Sequence, residues 1–146
     1  GKCSIYGCYN EGVIETDGGN AGGIYGKDDG FDFDIKGCYN IGTVQGRQGG
    51  EVLGAITSSS ASGSSVMASC YVREKYAIAH ATEETVFGSS GWPTSTNNTV
   101  WYADPSNDGT YTAGSDGVPT GNYKFWKSLG SWNGGTPQYP KLWWEE

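Results

Sequence analysis

Short runs of apolar and small residues recur along the first half of the chain. Residues 5–14 (IYGCYNEGVI) are repeated at 35–44 (IKGCYNIGTV), and a shorter copy, VMASCYV, spans residues 66–72. The central cysteines of the copies stand at nearly constant spacing, at positions 8, 38 and 70. The runs lack the 3.6-residue spacing of an amphipathic helix, and glycines interrupt them every few positions. The pattern therefore predicts short strands separated by turns.

A second element lies between the copies. Residues 22–26 (GGIYG) are echoed by residues 49–54 (GGEVLG) with one residue inserted, so one unit is about 30 residues long. A unit of this size cannot close a core by itself. We expect successive units to stack as coils, with like positions about 4.8 Å apart. Gly12 and Gly42 then suit corners at which φ is positive.

Stacking also explains the residue types at the centre of each copy. Cys8, Cys38 and Cys70 are expected to form an inward column, in which a thiol acts as a compact apolar group. The amides of Asn10 and Asn40 are expected to hydrogen-bond along the stack. Cys3 lies near enough in sequence to bond with the first of these cysteines, but free thiols are favoured, because ladder neighbours point the same way and rarely meet disulfide geometry.

The alternation of GCYN-x-G-x-[VI] with GG-[IV]-x-G resembles the GLUG-type repeats of large bacterial surface and secreted proteins, including arrays beside IgA-protease-type peptidases. The short Gly-hydrophobic-Gly signature is carried by residues 22–26 and 50–54, and the resemblance covers residues 3–72. It implies a right-handed β-solenoid in an exported, cell-surface protein, used as a stalk, adhesive or spacer module. It implies no catalytic residue. We expect an all-β fold, a short right-handed β-solenoid of about 2.5 coils.

The second half of the chain has a different character. All six tryptophans lie after residue 90, and residues 125–132 and 139–144 resemble the closing segment of such arrays, in which two Trp-containing strands finish the module. We expect an aromatic-rich C-terminal cap that covers the open strand edge of the last coil. Thr82 is a candidate N-cap for one helical turn. The chain is thus predicted to be a single domain, 1–146, with repeat coils over 1–72 and an irregular region and cap over 73–146.

Composition and charge narrow the range of partners. Among 146 residues, 9 are basic and 16 acidic, for a net charge of −7 with no basic stripe, which argues against nucleic acid and anionic membranes. No apolar run approaches the roughly 20 residues that cross a bilayer, so no membrane insertion is expected. The first residues, Gly-Lys-Cys, are neither a natural start nor a signal peptide, which predicts a monomeric piece of a longer protein.

Two acidic stretches are candidate calcium sites, and no other cofactor is expected. The segment KDDGFDFD concentrates four carboxylates, and DPSNDGTYT resembles the start of an EF-hand loop, although Ser115 stands where the last ligand, a Glu, is expected. Solvated turns are the simpler interpretation of both stretches. With a single histidine and no CxxC, a zinc site is not predicted. The candidate metal ligands are Asp28, Asp29, Asp32, Asp34, Asp104 and Asp108.

The surplus of aromatic residues suggests a glycan-binding face, because exposed indole rings stack on sugars. The candidates are Trp92, Trp101, Trp126 and Trp132, which would otherwise belong to the core of the cap. His80 is alone, and no nucleophile motif such as GxSxG is present, so we do not expect an enzyme.

Three functions follow from these observations. The first is a non-enzymatic adhesion or spacer module of a bacterial cell-surface or secreted protein. Its expected partner is a host or cell-surface glycan or protein. The second is a carbohydrate-binding module of a secreted enzyme, and the third is an ancillary domain of a surface protease.

Overall fold

The computed structural model describes residues 1–26, 32–49, 51–59, 63–74, 84–87, 125–128, 130 and 136–146. These residues form short strands and turns and include no helix, which confirms the predicted all-β class. The chain divides into two compact units, Gly1–Val86 and Phe87–Glu146. The strands are β1 (Lys2–Tyr6), β2 (Tyr9–Asn10), β3 (Val13–Thr16), β4 (Asn20–Gly22), β5 (Asp32–Lys36), β6 (Tyr39–Asn40), β7 (Thr43–Gly46), β8 (Val52–Gly54), β9 (Val66–Ala68), β10 (Cys70–Val72), β11 (Glu84–Val86), β12 (Trp126–Ser128) and β13 (Lys141–Leu142).

Strands of the first unit pair in parallel, each with the equivalent strand of the next repeat. Strands β1, β2 and β3 pair with β5, β6 and β7. Strands β4, β5 and β6 pair with β8, β9 and β10. We call residues 1–26 repeat 1, residues 32–59 repeat 2 and residues 63–74 repeat 3. The repeats therefore lie one above another, and this parallel pairing is compatible with a solenoid.

The structure corrects the alignment of the second repeated element. Gly22 pairs with Gly54 and Tyr25 with Thr57, so residues 22–26 match residues 54–58 and not residues 49–54. Repeat 2 is two residues longer than repeat 1 in the turn between β7 and β8, since Thr16 pairs with Gly46 and Asn20 with Val52, so the predicted insertion of one residue within residues 49–54 was wrong. The physical reason for the alignment is a shared tight turn. A Cβ atom on Gly22 would lie 2.0 Å from the carbonyl oxygen of Tyr25, and one on Gly54 would lie 1.7 Å from that of Thr57.

The core of the first unit is enclosed by the stacked repeats and is formed by their inward-facing side chains. Side chains of β5, at alternate positions, point inward because successive residues of a strand face opposite sides. The segment after β8 contributes two residues that are fully buried, although it is not a strand. The buried core residues are Phe33, Ile35, Cys38, Ala55, Ile56, Met67, Cys70 and Val72.

Glycine is required at the corners of the repeats for two different physical reasons. Gly7 and Gly37 have φ of 63° and 57°, and Ser69 occupies the third equivalent position with φ 54°. Gly12 and Gly42 are not among the described residues with positive φ, so that expectation was wrong. Gly42 is required by close approach instead, because a Cβ atom there would lie 2.1 Å from the carbonyl oxygen of Gly12.

Strand β11 replaces the helical turn that was predicted to begin at Thr82. Residues Glu84–Val86 pair in parallel with β10, in the register Cys70 with Glu84 and Val72 with Val86. The prediction was wrong there because the edge of β10 supplies backbone partners that outweigh local helix propensity. Thr82 itself lies outside the described residues.

The described part of the second unit is built on one antiparallel strand pair. β12 pairs with β13 so that Trp126 lies opposite Leu142, and both side chains are fully buried. The ring of Phe125 packs edge-on against that of Trp143, with centroids 5.8 Å apart, and its carbonyl accepts the N–H of Trp143. Of the two Trp-containing strands predicted for this segment, β12 contains Trp126, whereas Trp143 lies in the turn that follows β13.

Candidate functional site

The three cysteines form the predicted column. The N–H of Tyr39 donates to the carbonyl of Cys8, and that of Tyr71 donates to the carbonyl of Cys38, which places the cysteines one above another. Cys38 and Cys70 are fully buried, whereas Cys8 is exposed at the end of the column. Their thiols donate to backbone carbonyls within this column, as Cys8 Sγ does to Tyr6 O at 3.5 Å.

All four cysteines are free thiols, including Cys3. The pKa of the Cys8 thiol is raised above its ordinary value, first by its hydrogen bond with Cys38 and then by burial. The pKa of Cys38 is also raised, mainly by its hydrogen bond with Cys70. Because the thiolate is the reactive form of cysteine, these shifts lower the reactivity of Cys8 and Cys38 without blocking the exposed Cys8, and they favour a packing role.

A stack of tyrosine rings runs beside the thiols. The rings of Tyr9 and Tyr39 are nearly parallel, with centroids 5.0 Å apart, and those of Tyr39 and Tyr71 are 4.7 Å apart. Tyr71 is fully buried and Tyr39 is 3% exposed, whereas Tyr9 is 42% exposed. The sequence signal for this stack was the tyrosine that follows every central cysteine, which the sequence analysis did not single out.

The asparagine ladder is also present, but only over two repeats. Asn10 Nδ2 donates to Asn40 Oδ1 at 3.0 Å, and that same oxygen accepts the N–H of Gly42 at 2.9 Å. Asn40 Nδ2 donates to the carbonyl of Ala55 at 2.8 Å, and the side chain is 2% exposed. Val72 stands at the third position, so the ladder ends there.

An ionic cluster on β5 was missed by the sequence analysis. Lys36 Nζ lies 3.1 Å from Asp34 Oδ1 and 3.3 Å from Oδ2, and Lys2 Nζ lies 3.9 Å from the carboxylate. Tyr6 donates its hydroxyl proton to Asp34 at 2.8 Å. Burial, and then this hydrogen bond, raises the pKa of Tyr6. The cluster balances the charge of a carboxylate that is only 8% exposed.

Both described aspartates of the first acidic stretch have partners within the fold. Asp32 and Asp34 are on the same strand, and Asp32 accepts a hydrogen bond of 2.5 Å from Ser64 Oγ. This bond lowers the pKa of Asp32. Among the residues that the structure describes, no three His, Cys, Asp or Glu side chains are grouped to hold a metal ion. Asp28, Asp29, Asp104 and Asp108 lie outside those residues.

A second charged contact links repeats 1 and 2 on their outer surface. The guanidinium of Arg47 contacts Glu15 and lies 3.5 Å from Asp17, while Gln45 donates to Glu15. Arg47 thereby lowers the pKa of Glu15. Glu15 and Gln45 occupy equivalent positions of paired strands, and this equivalence was the signal available in the sequence.

Of the four candidate glycan-binding tryptophans, one is described. Trp126 is fully buried, so its ring offers no surface for stacking on a sugar. Trp92, Trp101 and Trp132 lie outside the described residues, as does His80. The described tryptophan with an exposed ring is Trp144, which is 47% exposed.

Comparison with known proteins identifies no relative. No family model, no curated protein sequence and no solved structure matches the chain. Within the described ranges, no helix is long and apolar enough to span a membrane.

Proposed function

We propose that this chain is a non-enzymatic scaffold module, an adhesive or spacer element of a larger bacterial cell-surface or secreted protein. The observation that carries the proposal is the in-register stacking of like residues in successive repeats. Cys38 and Tyr39 lie directly above Cys8 and Tyr9, and directly below Cys70 and Tyr71. In this column the thiol and phenol side chains pack against one another and are not presented to a substrate, which is typical of a scaffold.

The stacked repeats are proposed to form a short right-handed β-solenoid. A connection between parallel strands of one sheet is right-handed in nearly all proteins, and each repeat here is such a connection. Each unit of a solenoid contacts only its neighbours, so the structure extends by adding units. A module of this kind spans distance and presents side chains on its outer surface.

The ion pairs of the first unit support the same role. Three of the described ion pairs join repeats 1 and 2, namely those of Arg47 with Glu15 and with Asp17 and that of Lys2 with Asp34. These carboxylates are thus engaged with cations of the scaffold. An extracellular or cell-surface location is part of the proposal and rests on the resemblance to GLUG-type repeats.

Mechanical unfolding tests the spacer role. We expect a pulled molecule to show a discrete force peak as the unit Gly1–Val86 opens, with an extension of about 300 Å. The expected peak reflects backbone hydrogen bonds between repeats that must break together. A chain that extends smoothly, without a peak, would contradict a scaffold that bears load.

A carbohydrate-binding module is the second candidate, and the exposed ring of Trp144 is the observation that favours it. A glycan array distinguishes the two functions. The scaffold role predicts no glycan signal that depends on tryptophan. A signal that Trp144→Ala abolishes, while the protein keeps its melting temperature, would support the second candidate over the first.

A further inference from the structure

The N-terminal face of repeat 1 consists of Cys8, Tyr9, Asn10, Gly12 and Val13. We propose that this face binds a further repeat unit that carries the Cys-Tyr-Asn pattern of this chain, in parallel and in register. The partner is thus defined by its chemistry: a strand with a thiol, a phenol ring and a side-chain amide at successive positions. The inference goes beyond the proposed scaffold role, because it assigns a specific binding surface.

The residues of this face are more exposed to solvent than the equivalent residues of repeat 2. Tyr9 is 42% exposed, whereas Tyr39 is 3% exposed. Val13 is 64% exposed, the highest exposure among the large apolar residues of the described chain. Cys8 is exposed and Cys38 is fully buried. The cysteine and tyrosine positions that are buried in repeat 2 are therefore exposed in repeat 1, whereas Val13 is equivalent to Thr43, which is half-buried.

The backbone of this face has the geometry for strand addition. In the existing interface, N–H groups of repeat 2 donate downward to repeat 1, from Tyr39 to Cys8, from Ile41 to Asn10 and from Thr43 to Gly12. By the same register, the N–H groups of Glu11 and Val13 are directed away from repeat 2. Evenly spaced donors along a strand edge are the feature by which an added strand is recognised.

The side chain of Asn10 specifies what the added strand carries. Asn40 Oδ1 accepts two hydrogen bonds, one from Gly42 N and one from Asn10 Nδ2. Asn10 Oδ1 accepts the equivalent bond from Gly12 N at 3.1 Å. On Asn40 Oδ1 the second acceptor position is occupied by the amide of Asn10. The equivalent position on Asn10 Oδ1 faces the added strand, so the amide of an asparagine in that strand fits there.

The space below Gly12, on the side away from repeat 2, gives independent evidence. A Cβ atom on Gly42 would lie 2.1 Å from the carbonyl oxygen of Gly12 in repeat 1. A Cβ atom on Gly12 would meet only its own neighbour, Asn10 Oδ1, at 3.5 Å. The two glycines have the same place in the sequence pattern, but the close approach that requires a glycine occurs only at Gly42. A bound repeat would impose the same requirement on Gly12.

The experiment fuses a copy of residues 1–30 directly before Gly1, so that each strand of the copy precedes its equivalent by the same offset as Tyr9 precedes Tyr39. The added copy carries Cys3→Ser and Cys8→Ser, in which a hydroxyl keeps the small hydrogen-bonding group of the thiol, so that alkylation of the original Cys8 can be followed by mass spectrometry. We expect N-ethylmaleimide to modify this thiol about tenfold more slowly in the fusion than in the unfused chain, because a covered thiol must wait for local opening. The melting temperature should rise.

Three matched variants make the result specific. A fusion with a scrambled copy of the same composition should leave Cys8 as reactive as in the unfused chain. The change Asn10→Leu in the added copy alone should weaken protection, since it removes the amide donor. Gly12→Ala in the original repeat should be tolerated in the unfused chain and should reverse the gain in melting temperature in the fusion.

Several outcomes would overturn the proposal. They are equal reactivity of Cys8 in the native and scrambled fusions, protection that depends on protein concentration and so reflects dimers, and Gly12→Ala having the same effect in both contexts. The force and glycan experiments above do not depend on this fusion, so failure here leaves the scaffold role to be judged by them.

Discussion

Asn10 and Asn40, at equivalent positions of repeats 1 and 2, share a side-chain hydrogen bond of 3.0 Å from Nδ2 of the first to Oδ1 of the second. Asn40 Oδ1 also accepts a hydrogen bond from the N–H of Gly42, and Asn40 Nδ2 donates one to the carbonyl of Ala55. One buried amide therefore joins two repeats, closes the turn at Gly42 and connects β6 to the segment after β8. A polar group buried in this way stabilises only while every bond is made, since each unpaired group costs about 1–3 kcal/mol.

Replacing Asn40 by leucine should destabilise the first unit by about 3 kcal/mol, because the carbonyl of Ala55 and the amide of Asn10 each lose a partner, while Gly42 N keeps only its bond to Asn10 O. The free energy of unfolding in urea measures the loss. The change Asn10→Leu is the matched control, and we expect it to cost less, because Asn10 is only half-buried. Equal losses for the two variants would contradict the assignment of Asn40 as the central residue.

Alanine at position 42 should cost about 3 kcal/mol, because its Cβ would overlap the backbone of repeat 1 at Gly12 O. The same change at Gly12 should alter the free energy of unfolding by no more than about 0.5 kcal/mol, as at an open surface site. Thermal unfolding of the two variants beside the parent chain gives the comparison. Similar melting temperatures for both variants would show that the repeats do not approach this closely.

Glu51 is expected to make stability depend on pH in the acid range. Its carboxylate accepts the N–H of Gln48 at 2.7 Å, and this backbone bond lowers the pKa of Glu51 below its ordinary value of 4.5. A carboxyl group with a lowered folded-state pKa stabilises above its unfolded pKa, and that contribution is lost as the pH falls through the folded value.

The variant Glu51→Gln should therefore be less stable than the parent near pH 7, and the difference should shrink below pH 4.5. Urea unfolding at a series of pH values measures this slope. Glu11→Gln, at an exposed position of repeat 1, is the control and should leave the slope unchanged. A difference that stays constant down to pH 3 would refute the role of the ionised carboxylate.

Calcium should leave the melting temperature unchanged. Asp34 is already paired with Lys36 and Asp32 with Ser64, so neither offers an uncommitted carboxylate. Adding about 5 mM calcium to chelator-treated protein exceeds the roughly 10⁻³ M affinity of weak extracellular sites. A ligand that prefers the folded state would raise the melting temperature. A rise would point to the aspartates outside the described residues.

Deleting residues 123–146 should cause aggregation. The deletion removes β12 and β13, together with the fully buried Trp126 and Leu142, and aromatic side chains of this size bury about 150–250 Å² each. Size-exclusion chromatography of the truncated chain measures the outcome. A monomeric fragment that melts cooperatively would contradict the view that this segment is a cap.

Much of the fold could be predicted from residues that repeat. The recurrence of Cys-Tyr at nearly constant spacing led to the correct stacking of Cys8, Cys38 and Cys70, since identical neighbours stack best in register. The tryptophan strand and the final Leu-Trp segment were also predicted, and they pair as β12 and β13. The candidate site was predicted less well, because ion pairs such as Lys36 with Asp34 depend on side-chain direction and not on spacing.

The sequence by itself determined the all-β class, the spacing of the repeats and the residues of the inner column, because these follow from local pattern and from identical side chains. Only the tertiary structure decided the alignment of Gly22 with Gly54, the close approach that makes Gly42 necessary, and the strand at Glu84–Val86. The physical reason is that each depends on backbone groups distant in sequence, which determine where an insertion is accommodated and which edge a strand joins.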